Sequence, residues 1–226
     1  MDPSTQQQPQ PAQVFLRPLG TPLPLGMVGL AVATSVLACL NLGWIPTSEQ
    51  HQVALVLFAF AFPLQLVATV LLFLARDAPA GAGIGVQSVT WLALGLLLFT
   101  GKPGVLSATV SVFLFAAAAA VLPAVVTSSL GKLVPAAVMG ATSLRYVLTG
   151  LYEHFGGTAW EHAAGWEGIV LAGLALYCAF ASDLESQLHR TVLPMGRHGS
   201  GRRALQQDLA DQLPELHSEP GVRPQI

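Results

Sequence analysis

Three sets of polar residues interrupt otherwise apolar runs, and the spacing within each set is helical. Thr34 and Asn41 continue from Leu30 at intervals of four and seven residues, Gln87 and Thr90 are three apart, and Thr142 is followed by Arg145 and Tyr146. Each set therefore lines one face of one helix. Such groups are costly in hydrocarbon unless they face other helices or a water-filled path. Hydroxyls and amides can replace part of the water shell of a permeating ion, and a guanidinium can fork onto a carboxylate or another oxyanion. Arg145 lies about ten residues inside its apolar run, roughly 15 Å at helical rise, which strains snorkelling to an interface. A charge at that depth costs at least about 2.5 to 3.5 kcal/mol, a cost that a wet anion path would make tolerable. Two structural alternatives stand beside that reading. The polar stripes could be interhelical hydrogen bonds serving packing, worth about 0.6 kcal/mol each, and Arg145 could pair with carbonyls or with a rim acid such as Glu153.

Other chemistry finds no support. The sequence has no HExxH, no Cys/His ligand cluster, no Walker A motif and no Ser/His/Asp set able to meet at membrane depth. We therefore expect neither an enzyme nor a bound metal or cofactor. Cys39 and Cys178 lie deep in apolar segments and read as buried small hydrophobes. With a net charge of -2 and no basic patch, nucleic-acid binding has nothing to rest on.

The elements that must position these residues follow from composition. Of 226 residues 53% are hydrophobic and 10% charged, and the mean hydropathy is +0.59, which no ordinary soluble domain shows. Six runs are long enough to cross a hydrocarbon core of about 30 Å as helices: residues 22–45, 53–75, 81–100, 105–128, 133–151 and 163–182. Strand alternation is absent, so the expected fold is an all-α integral membrane bundle of six helices with a central path. The breaks carry turn chemistry, the longest being EHFGGTAWEH. In TPLPLGM, Pro22 restrains Thr21 and Pro24 restrains Leu23 toward extended geometry, so the first helix is expected to begin near Leu25 behind an irregular mouth, with Gly26 allowing close approach.

Six crossings put both termini on one side. Arg17, Arg76, Lys132, Arg190, Arg197, Arg202, Arg203 and Arg223 fall on that side and Lys102 on the other, so both ends are expected to be cytoplasmic. Residues 1–20 read as a disordered tail, 21–196 as the membrane domain and 197–226 as a polar tail in which Leu205, Leu209 and Leu213 share a helical face. No acid sits mid-membrane, and Glu153, Glu161 and Glu167 read as a cluster near one rim. Small residues recur where helices could meet, as at Gly26, Gly29 and Ala33.

Four motifs in order carry a resemblance: TPLPLGM, CLNLGW, AGWEGIVLAGLALY and RTVLPMG. Together they resemble the acetate uptake transporter family, the acetate and succinate permeases of bacteria and fungi, across residues 20–196, as a divergent bacterial member. TPLPLGM stands where that family has Asn-Pro-Ala-Pro-Leu-Gly-Leu, and Asn41 and Gly43 stand at its first-helix asparagine and glycine.

The resemblance implies a six-helix protomer in a cyclic hexamer, carrying acetate or succinate, with protons as a possible co-substrate. It also implies a constriction in which Leu30 replaces a phenylalanine, Gln87 a tyrosine and Gly140 a leucine, with Ala175 at a specificity-tuning small position. Thr21 in place of the signature asparagine, and a third helix keeping only Trp91 of its aromatic set, depart from the pattern; Arg145 is not part of it. These departures imply a wider, more polar path for a different or larger carboxylate. A non-transporting membrane assembly or sensory protein that retains the fold is the alternative.

Overall fold

The computed structural model describes residues 20–188 and 190–199, together with Arg202. The leucine face at Leu205, Leu209 and Leu213 and most of both tails lie outside the described residues. Six long helices follow one another: α1 Leu23–Asn41, α2 Thr47–Leu74, α3 Ala78–Thr100, α4 Ala108–Ser129, α5 Leu133–Phe155 and α6 Thr158–Leu188. All but α5 are long and apolar enough to cross a membrane. The exception contains the Thr142, Arg145, Tyr146 set. The chain is thus a multi-pass membrane protein, and large exposed side chains such as Val67, Val112 and Val170 form its outer faces.

Each helix packs on its neighbours in sequence, and α1 packs on α6, so the six close into a ring in chain order. Short connections enforce the antiparallel neighbours. Asp77 caps α3, accepting from the Ala80 N–H at 3.3 Å, and Ser107 caps α4, accepting from the Val110 N–H at 3.3 Å. The longest expected break is instead the tightest. Helix α5 continues to Phe155, α6 starts at Thr158, and Gly156 and Gly157 make the turn at φ values of +68° and +89°, where a side chain would be strained.

The first helix also departs from expectation, beginning at Leu23 rather than near Leu25. Pro22 is helical at φ -82° and ψ -12° and caps the helix, and the Leu25 N–H donates to its carbonyl at 3.2 Å. Pro24 then falls in the first turn, where a missing N–H leaves no intrahelical bond unmade. In α2 a π-helical turn at Leu57–Ala61 precedes Pro63, an adjustment that accommodates a ring unable to donate and crowding the carbonyl four residues back.

Beyond α6 the chain folds back across one end of the ring. The N–H groups of Leu133 and Val134, unpaired by α5 itself, donate to Gly196 O and Met195 O, each at 3.2 Å, and Met195 is buried. Arg197 forks onto Glu185, its Nε donating to Oε1 at 2.7 Å and its Nη2 to Oε2. Glu185→Gln is expected to weaken this strap by about 1–2 kcal/mol, the range for a hydrogen bond to a charged group after partial exposure. Hydrogen–deuterium exchange at the Leu133 and Val134 amides should then accelerate while amides in mid-α5 keep their protection.

Candidate permeation path

The interior of the ring is polar where the helices are deepest. Thr34 of α1, Gln65 of α2, Gln87 of α3 and Thr142 of α5 are all fully buried. Gln65 Nε2 donates to the Gly26 carbonyl and to Gln87 Oε1, both at 3.1 Å. Gln87 Nε2 in turn reaches Met139 Sδ at 3.0 Å and Thr142 Oγ1 at 3.4 Å. Four helices are thereby joined through side-chain amides, the arrangement that packing alone would favour. Yet Thr34 Oγ1 and Gln65 Oε1 have no hydrogen-bond partner among the described residues. Buried polar atoms without partners are uncommon in cores and natural along a path that hydrated solutes cross.

Leu30 is buried in the same core. Gly26 approaches α3 so closely that a Cβ there would lie 2.6 Å from Ile84 Cδ1, which accounts for a glycine in TPLPLGM. Thr90 is buried and satisfied locally, its Oγ1 donating to the Val86 carbonyl at 2.7 Å. Ala175 is fully buried on α6. Gly140 stands apart: a Cβ there would meet only Val125 of α4, at 3.9 Å. Met139, through its contact with Gln87, is the residue that α5 brings to the amide network in its stead.

Arg145 is 1% exposed, and none of its three guanidinium nitrogens has a hydrogen-bond partner among the described residues. The guanidinium lies against Gly168 of α6, where a Cβ would be 2.9 Å from Cζ and from Nη1. Glu153 does not pair with it, since its Oε2 accepts the Ser107 N–H at 2.8 Å. Glu167, expected at the rim, precedes Gly168 and acts electrostatically on Arg145. The neighbouring Tyr146 makes an edge contact with Trp91, their centroids 6.1 Å apart.

A cavity opens at each end of this interior. The one beside the start of α1 has a volume of about 480 Å³ and is lined by Thr21, Pro22, Lys132, Ser182, Glu185 and Arg197, among others. Thr21 Oγ1 donates to Ser186 Oγ at 3.3 Å there, and Lys132 pairs with Asp77 at 3.1 Å. Pro24 and Leu25, one turn on, are half-buried and Leu25 packs on the core. The cavity at the far end is about 50 Å³ and holds Asn41, Gln50, Thr149, Glu153 and Glu161. Asn41 Nδ2 has no hydrogen-bond partner among the described residues. Sequence reasoning overlooked Gln65. Its signal was a lone amide in the middle of an apolar span, which is costly enough in hydrocarbon to require a purpose.

The described residues thus form a closed ring of six membrane helices with a polar interior and a cavity at either end, an all-helical membrane bundle. Among solved structures it is similar to the bacterial acetate channel SatP, with a TM-score of 0.70 and 24% sequence identity over 79% of this chain and 99% of that one. That likeness establishes the fold. No family model matches the sequence, and no curated protein does.

Proposed function

We propose that the chain conducts small carboxylates of the acetate and succinate kind across a membrane, along the axis of its own six-helix ring. The observation that carries this reading is the line of buried donors from Gln65, Gln87 and Thr142 to Arg145, unpartnered among the described residues, running between two end cavities. The fold shared with a bacterial acetate channel supports it. A carboxylate enters the cavity lined by the ion-paired Lys132 and Arg197, at the N-terminal end of α1, where the positive end of the helix dipole favours anions. It then exchanges water for Gln87 and Thr34, meets Arg145, and leaves past Asn41.

With Leu30 and Gln87 where relatives by resemblance carry phenylalanine and tyrosine, the path admits larger carboxylates than acetate. Both termini face the cytoplasm, because Arg76, Lys132 and Arg197 share the end opposite Lys102. Further copies pack on the exposed apolar faces to give a cyclic hexamer.

Uptake of labelled acetate and succinate into proteoliposomes tests the reading. Saturable uptake, competed by larger mono- and dicarboxylates, is the expected result; strong acetate uptake without such competition would remove the wider path. A reversal potential in planar bilayers that ignores a proton gradient would assign channel-like permeation over proton symport. Absence of uptake for every carboxylate would favour a non-transporting assembly, for which the divergent third helix is the motive.

A further inference from the structure

Among the described residues the polar interior contains one full positive charge, Arg145, and what balances it has a consequence for how a solute passes. Arg145 is buried with all its guanidinium nitrogens unpartnered among the described residues, so its donors are available to an acceptor ligand. Gly168 makes this possible. A Cβ at that position would lie 2.9 Å from Cζ, from Nη1 and from the Ala38 Cβ, so the glycine leaves room for the guanidinium between α1, α5 and α6. Helix α1 carries no charged residue. Helix α5 brings Tyr146 beside Arg145, while Glu153 is engaged by Ser107. Helix α6 brings Glu167, half-buried, whose Oε2 is shielded from solvent and has no hydrogen-bond partner among the described residues. Glu167 therefore compensates the charge of Arg145 through space without filling its donors.

We infer that Arg145 and Glu167 form a charge-exchange step: Glu167 is a tethered carboxylate that balances the guanidinium when the path is empty, and a permeating carboxylate takes its place. The inference rests on the carboxylate reading above. A diffusing carboxylate offers two oxygens that match the guanidinium fork. Its arrival sets two negative charges beside one cation, so Glu167 turns toward its solvent-accessible side or repels the solute onward. Tight binding would trap the solute; the internal competitor keeps residence short, as conduction requires.

Flux through the full chain in proteoliposomes, measured against carboxylate concentration, tests this. Removing the competitor in Glu167→Gln, an isosteric change, is expected to lower the half-saturating concentration about tenfold and to lower maximal flux, because one like-charge repulsion in a low-dielectric site is lost. Arg145→Gln is expected to raise half-saturation about tenfold, and in that background Glu167→Gln should change it by less than about twofold, since coupled sites are not additive. If Arg145→Gln does not fold, the direction of the Glu167→Gln effect alone decides. An increase in half-saturation in Glu167→Gln, or an undiminished effect of that change without Arg145, would overturn the exchange while leaving carboxylate conduction intact. A wild type with no saturable flux would overturn both.

Discussion

Gln87→Leu is expected to cut carboxylate flux about ten- to a hundredfold, because a hydrogen bond to a charged group is worth about 1.5–3 kcal/mol and this amide joins three helices around the interior. Its Nε2 is the donor that reaches Met139 and Thr142, and its Oε1 accepts the hydrogen bond from Gln65 Nε2. Leucine fills the same space without either function and adds hydrocarbon to the buried interior that also holds Leu30, which favours dewetting. Stability should fall much less than flux. Gln65 keeps its bond to the Gly26 carbonyl, and Thr142 keeps its bond to the Val138 carbonyl, so few buried groups are left orphaned. Thermal unfolding in detergent beside flux separates the two effects. Gln87→Glu sharpens the test: it keeps the size, removes the donors and adds a negative charge, so the reversal potential in an acetate gradient should move toward cation selectivity. Equal loss of flux and stability in both variants would mean that Gln87 serves packing alone.

The six crossings were legible because hydrophobic runs and turn residues speak locally. The stripes through Thr34, Gln87, Thr142 and Arg145 were legible because helical period is a property of one segment. What the sequence withheld depends on contacts between segments. Glu167 reads as a rim acid when its helix is begun at residue 163, yet α6 begins at Thr158 and sets Glu167 more than two turns inside. Gly156 and Gly157 close the preceding turn in two residues, which a long polar stretch conceals. Met195 and Gly196 of the strap belong to RTVLPMG, which resembles a family motif in sequence, but only the docking of their backbone onto Leu133 and Val134 shows why it is there. Gln65 was missed for the opposite reason: a single amide forms no stripe, although its burial in α2 is as costly as that of Gln87.

Gly165→Val is expected to open the ring where it is least protected. Five of the six seams join helices that follow each other in sequence, so a local wedge at those seams is resisted by a short connection. The sixth, between α1 and α6, joins the two ends of the domain and has no covalent tether. Gly165 lies in that seam. A Cβ there would meet Leu42 Cγ at 2.6 Å and the Ala38 carbonyl at 3.4 Å, and valine adds two further methyls to a site already short of room. Overpacking of this kind costs about 1–3 kcal/mol. The cost appears as displacement of α1 and α6, because the Ala38 carbonyl belongs to backbone that cannot turn aside. Gly173 provides the matched comparison: it is on the same helix, exposed, and a Cβ there meets nothing within 4 Å. Gly173→Val should leave the unfolding temperature of the detergent-solubilised protein unchanged, whereas Gly165→Val should lower it and remove carboxylate selectivity with it, since Arg145 and Gly168 share the displaced seam. Equal unfolding temperatures for the two variants would show that the seam yields without cost and that ring closure does not depend on the close approach of α1 and α6.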